Sequence, residues 1–273
     1  MNARDLIRNS SLAQHADILE RLLKPAIAIV HAAPEVPAAV GASKLGGEPD
    51  LPPGFVWPKW KRRPLAFLAQ LRLDELAPYD VEKLLPASGM LYFFNDTKND
   101  WGGRENEGAW RDVYSEAQPD ELKRTPLPKP LSETGRFQEV PVRFEPRYTL
   151  PFQDEELRLL APELQLTQQQ QSDYDDLVYR LVEWEKGRPL HWMLGYHSAI
   201  QGAANVEALQ DLYALASDEA IARCQELVLL LQLDSDDKAG MCWGDLGTLY
   251  FWIHRDDLAT RCFERVWMVA QCY

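Results

Sequence analysis

Hydrophobic alternation marks strands in two separate thirds of the chain, and helical spacing appears at the start and between them. Across residues 65–73, Leu65, Phe67, Ala69, Leu71 and Leu73 face one side, with Gln70 and Arg72 on the other. Residues 90–94 form a short aromatic strand and 110–114 another. The pattern returns at 227–233, 248–253 and 265–271. An apolar run at 26–30 stands alone. The prolines between 119 and 151 remove ladder donors, which predicts irregular or edge structure broken by a short strand at 140–144.

Three stretches carry helical spacing. Asn2 can cap the first, Asp5 sits in its first turn, and Leu12, Ala16, Leu19 and Leu23 recur before Pro25 stops it. It is expected to lie over the β core. In the second, Ser172 is the expected cap and Asp173, Asp175 and Asp176 oppose the positive dipole end. Tyr174, Leu177, Val178, Leu181 and Trp184 form its apolar face, and Lys186, Gly187 and Pro189 close it. The glutamines at 168–171 read as a solvated loop or a frayed helix end. A third helical stretch covers residues 206–224.

The two strand-rich regions echo each other in order. Leu45-Gly46-Gly47, a run around Gln70 and Gly89-Met90-Leu91-Tyr92-Phe93 match Leu194-Gly195-Tyr196, a run around Gln232 and Gly247-Thr248-Leu249-Tyr250-Phe251. Asp74-Glu75 falls over Asp236-Asp237, and an arginine-containing strand follows each copy, at Arg111 and Arg265. The expected fold is α+β and β-rich: an internally duplicated, roll-like antiparallel sheet core with peripheral helices, namely an N-terminal helix and two helical insertions. One domain would span 1–273, with a packing helix (1–25), a first β unit (about 43–118), a proline-rich and helical connection (about 119–187) and a second β unit (about 188–273).

These residues also carry a family resemblance. Ser43-Lys44-Leu45-Gly46-Gly47, Phe67-Leu68-Ala69-Gln70, Leu194-Gly195-Tyr196, Leu231-Gln232-Leu233-Asp234-Ser235-Asp236, Trp243-Gly244-Asp245, Leu249-Tyr250-Phe251 and Gln271-Cys272-Tyr273 resemble the YwqG-like family, a mostly bacterial domain of unknown function. The resemblance implies a β-rich roll with internal duplication in a bacterial cytoplasmic protein, and no reaction, cofactor or catalytic residue. A link of some members to polymorphic toxin systems makes an immunity protein one alternative.

Charge and composition narrow the classes. A formal charge of −13 and a pI near 4.9 oppose general nucleic-acid binding, which needs a basic face. The basic run Lys59-Trp60-Lys61-Arg62-Arg63 reads as an exposed hairpin tip. No apolar span has membrane length, and no signal-peptide pattern opens the chain. Cys224, Cys242, Cys262 and Cys272 form neither a CxxC pair nor a dense secreted framework, so reduced thiols and a cytoplasmic location are expected.

Candidate chemistry concentrates late in the chain. Asp234, Asp236 and Asp245 fall at the first, third and twelfth positions of a calcium-loop spacing, but Lys238 and Ala239 break the pattern. A hairpin turn with side chains bonded to local amides is the preferred reading. His191 and His197 could join Asp245 as an acid/base or metal group, although no zinc signature fits. Trp57 and Trp101, with Trp60 and Trp110, could line a groove. No P-loop, dinucleotide fingerprint or nucleophile elbow is present. The expected function is a non-enzymatic module that binds a protein or small ligand in a cleft between the halves. A metal-dependent hydrolase using Asp234, Asp236, Asp245 and His197 is the alternative. No cofactor or metal is assigned.

Overall fold

Two strands that are far apart in the chain meet at the middle of the main sheet, and everything else is arranged outward from them. The computed structural model describes residues 2–33, 38–98 and 102–273, with the backbone alone at Glu185. The first strands are β1 (Lys24–His31), β2 (Lys44–Leu45), β3 (Asp50–Leu51), β4 (Lys59–Trp60), β5 (Arg63–Pro64), β6 (Ala66–Arg72), β7 (Met90–Asn95) and β8 (Trp110–Ser115). There follow β9 (Lys123–Arg124), β10 (Val140–Thr149), β11 (His191–Leu194), β12 (Leu227–Asp234), β13 (Thr248–His254) and β14 (Trp267–Gln271). Among the described residues, ten strands join in the order β14-β13-β12-β11-β1-β10-β2-β6-β7-β8, all antiparallel. Read outward from β1 and β10, either side gives one short strand and then three longer ones. The chain is mixed α+β, and its large sheet curls toward a barrel.

The curl brings the two halves together. The Phe93 and Phe251 rings meet edge-to-face at 5.3 Å. At the far ends, Trp110 of β8 packs on Trp267 of β14 at 5.0 Å, and its Nε1 donates to the Val266 carbonyl (2.8 Å). Gly102 bridges to Val269.

One hydrogen-bonded frame is built twice. Gln70 lies opposite Lys44 and Gln232 opposite Trp192. Gln70 Nε2 donates to the carbonyl of Ala42 (2.8 Å), two residues before Lys44, and Gln232 Nε2 to that of Leu190 (2.9 Å), two before Trp192. Each glutamine Oε1 accepts the backbone N–H six residues after that partner: Asp50 in one half (2.7 Å), Ser198 in the other (2.9 Å). The carbonyls of the same two residues accept from the buried hydroxyls of Tyr92 (2.7 Å) and Tyr250 (2.6 Å). Both halves carry a β-bulge two residues before the glutamine, at Leu68 and at Leu230. The register corrects two details of the echo. Gly46-Gly47 matches Leu194-Gly195, all four with positive φ, and Arg111 matches Trp267, not Arg265.

The helices are α1 (Ala3–Arg8), α2 (Ala16–Leu22), α3 (Leu73–Leu76), α4 (Asp154–Leu160), α5 (Gln168–Leu181), α6 (Ala204–Tyr213), α7 (Ser217–Arg223) and α8 (Arg255–Ala259). Asn2 caps α1 as expected, with Oδ1 accepting from Arg4 N (3.2 Å). The N-terminal segment is two helices, and it packs with α4 and α5. Ile7, Leu19, Leu157, Tyr174 and Leu177 form a second hydrophobic cluster apart from the main core. The glutamines at 168–171 open α5 because Thr167 and Gln170 form a capping box, which moves the cap from Ser172 to Thr167. The stretch at 206–224 divides into α6 and α7.

The largest departure is β10. Its prolines predict an edge, yet it runs for ten residues through the sheet centre. β2 covers it only at Val140 and Pro141, so Pro146 needs a ladder on the β1 side alone, opposite Ile27. The basic run forms the β4–β5 hairpin, with Lys61 and Arg62 at positive φ in a two-residue turn.

Candidate functional site

The second half opens into a cleft larger than the one Trp57 lines in the first half. Its base is set where β11 begins and β12 ends. Leu190 N donates to Asp234 Oδ2 (2.9 Å), and Asp234 N donates to His191 Nδ1 (3.0 Å). Asp234 Oδ1 accepts from Ser235 N and Thr248 Oγ1. With both oxygens occupied, Asp234 is a tie between strands. Ser235 Oγ is also committed: it donates to the Gly247 carbonyl (2.8 Å) and accepts from Trp243 N (3.0 Å).

The next carboxylate closes a turn and holds two histidines. Asp236 and Met241 exchange backbone hydrogen bonds, while Asp236 Oδ1 accepts from Lys238 N (2.9 Å) and Ala239 N (3.3 Å). Its Oδ2 lies 2.7 Å from His31 Nε2 and 3.2 Å from His191 Nε2. Burial alone would raise the Asp236 pKa, but the hydrogen bonds from His191 and His31 outweigh it and hold the carboxyl well below the usual range. His31 enters from the end of β1, a contribution that sequence spacing does not reveal. Its signal is slight: a histidine ending an apolar run.

Among the described residues, His31, His191 and Asp236 are the one group of three such side chains whose ligand atoms all lie within 4.8 Å of one another. The hydrogen bonds argue against a cation there. His191 Nδ1 accepts a backbone N–H, so its proton sits on Nε2, the atom that would have to bind metal. Asp245 is exposed and away from the group, its carbonyl accepting from Tyr273 N (3.1 Å).

His197 is likewise separate. It is buried between Tyr250 and Trp252, at 5.6 and 5.1 Å, and its Nε2 accepts the Ala204 N–H at the start of α6 (3.0 Å). Burial pushes its pKa down to about 3, so it serves as a neutral cap. Trp57 donates to the Leu65 carbonyl (2.9 Å) and packs on Phe94, half-buried in the first half. Trp101 lies outside the described residues.

Above His31 and Asp236 the cleft has a volume of about 760 Å³. Its walls include Pro189, Leu190 and Ile200. Its rim carries Trp184, Leu246 and Tyr273, which are 49%, 60% and 69% exposed. Trp184 follows α5 and escapes that helix's buried face because Glu183 and Gly187 both adopt left-handed backbone around it. The arrangement suits recognition: apolar walls, one partly exposed imidazole held by a carboxylate, hydroxyl and carboxyl groups at Ser235 and Asp234 that are already engaged, and further charge from Arg188, Asp237 and Lys238.

No curated protein matches the chain. Residues 43–272 match the family model described as a domain of unknown function, DUF1963. That match covers both β units and every residue of the cleft except His31 and Tyr273, and with it the chain belongs to the DUF1963 family.

Proposed function

We propose that the protein is a non-enzymatic binding module whose second-half cleft takes a small aromatic ligand or a partner's aromatic side chain, with His31 as the polar anchor. The observation that carries this reading is the exposed rim of Trp184, Leu246 and Tyr273 around a cavity of ligand size. Large apolar side chains held in water around a concavity favour an occupant that removes them from it. His31 Nε2 is engaged by Asp236, which leaves Nδ1 to accept a hydrogen bond from a ligand hydroxyl or amide. The YwqG-like relationship and a cytoplasmic setting belong to the same reading, the latter supported by four free cysteines.

Titration with 1-naphthol, followed by tryptophan fluorescence, tests it. Saturable quenching is expected, weakened about tenfold in Trp184→Ser and in Leu246→Ser, since each removes roughly 1.4 kcal/mol or more of apolar contact. Both variants should melt within a degree or two of the parent, because exposed positions carry little stability. His31→Phe should bind 1-naphthol and naphthalene equally. Absence of saturable quenching, or affinities unmoved by the rim variants, would rule the reading out.

A further inference from the structure

A second cavity, of about 620 Å³, lies where the curled sheet fails to close, between β8 of the first half and β14 of the second. Asp112, from β8, is part of its wall and is 4% exposed. Neither of its carboxyl oxygens has a hydrogen-bond partner. Isolated buried carboxylates are costly, and satisfied ones are the rule. Its neighbours on the sheet give little relief: the residue opposite is Phe93, whose ring lies against Phe251, and adjacent Arg111 offers its charge without a hydrogen bond.

The surroundings suit one class of ligand. The Trp110 and Trp267 indoles meet beside Asp112, and Trp267 Nε1 is also buried without an acceptor. Tyr213 and His254 add aromatic wall. Acidic groups outnumber basic ones, with Glu107, Asp257 and Glu264 joining Asp112 against Arg111 and Arg265. Arg265 is held by Asp257 at 2.9 Å, which reduces its repulsion of a cation.

We propose that this seam is a binding site for a flat organic cation, an amidinium or guanidinium, whose charged head pairs with Asp112 while its body lies against the tryptophans. A planar fork of donors matches a carboxylate bidentately, and an aromatic face attracts a cation. The site is distinct from the His31 cleft and does not depend on it.

Benzamidine and its neutral isostere benzamide are the probes. Benzamidine should bind saturably and raise the melting temperature by about 5 °C near 100 times its Kd, while benzamide leaves it unchanged. Asp112→Asn should remove the benzamidine response and leave the free protein at least as stable, since an unpaired buried acid is replaced by a neutral isostere. Trp184→Ser should respond as the parent does. Burial holds the Asp112 pKa above its ordinary value and a paired cation lowers it, so binding should release a proton over the pH range between the free and bound values. Calorimetry at a series of pH values in two buffers of different ionisation enthalpy should read that release, whether or not the variant folds. An equal response to benzamide, a response retained in Asp112→Asn, no response in the parent, or binding without proton release would each overturn the proposal.

Discussion

The two halves share a frame and differ in what fills it. In the first half the residue opposite the glutamine is Lys44, and in the second it is Trp192; both are fully buried. Each donates to the carbonyl four residues ahead: Lys44 Nζ to Glu48 O (2.5 Å), and Trp192 Nε1 to Tyr196 O (3.1 Å). An ammonium and an indole thus satisfy equivalent acceptors. The consequences diverge. Lys44 requires anions, and Glu139 (2.8 Å) and Asp50 (3.8 Å) supply them. Arg124 closes the set through both carboxylates and the Ala38 carbonyl. Burial lowers the Lys44 pKa, while Asp50 is held below its usual value despite burial by Arg124, Gly41 and Gln70.

The second half needs no such network. Ser198 stands for Asp50 there. At the glycine matching Gly47, the chain in contact is Ala26 where the first half has Glu139. The position of Asp236 corresponds to Asp74, which makes an exposed pair with Arg72 (2.7 Å). The repeated glutamine and tyrosine fix the backbone, so the contents of each half can change independently: one is filled by a charge network, and the other by an indole.

The sharpest way to break this comparison is to remove the central side chain from each half. Lys44→Met leaves Arg124 alone to offset buried Asp50 and partly buried Glu139 and should cost about 3 kcal/mol in urea unfolding. Trp192→Phe leaves one carbonyl unmet and should cost about 1–3 kcal/mol. Equal losses would mean that the two fillings are energetically alike. Gln70→Leu and Gln232→Leu test the shared frame. Each should cost about 2–3 kcal/mol, with Gln70 the larger because it also donates to ionised Asp50 (2.8 Å).

A pH series sharpens the second half further. His197 has a depressed folded pKa, so the unfolded chain binds its proton first. Stability is fully present above about 6.5 and should fall as pH drops toward 3, by about 1.4 kcal/mol per unit at most. His197→Gln should flatten that slope. Asp236 acts in a lower window: its contribution is present above the unfolded value of about 3.9 and is lost only as pH falls below it. The smallest effect should come from the cleft rim, where Leu246→Ser should stay within about 0.5 kcal/mol of the parent.

Legibility in the sequence followed the range of the interactions. Alternation located β6, β7, β12 and β13 because their side-chain period is local, and the repeated Gln70 and Gln232 exposed the duplication. β10 was obscured because an edge and a strand with one short neighbour tolerate proline alike. The site was only half visible. His191, Asp234 and Asp236 do converge, through a turn and two adjacent strands, but Asp245 and His197 go elsewhere. His31 joins them across a register no spacing encodes, and Asp112 looks like any acid on an alternating strand.

The pairing of β1 with β10 governs how this chain is made. Val30 meets Arg143, and Ala26 must wait longer still for Leu194. During synthesis at roughly 5–20 residues per second, the innermost strand emerges early and stays without either neighbour for on the order of 10 s. Such an apolar ribbon is an invitation to wrong partners, so the nascent protein should depend on chaperones far more than its finished form suggests.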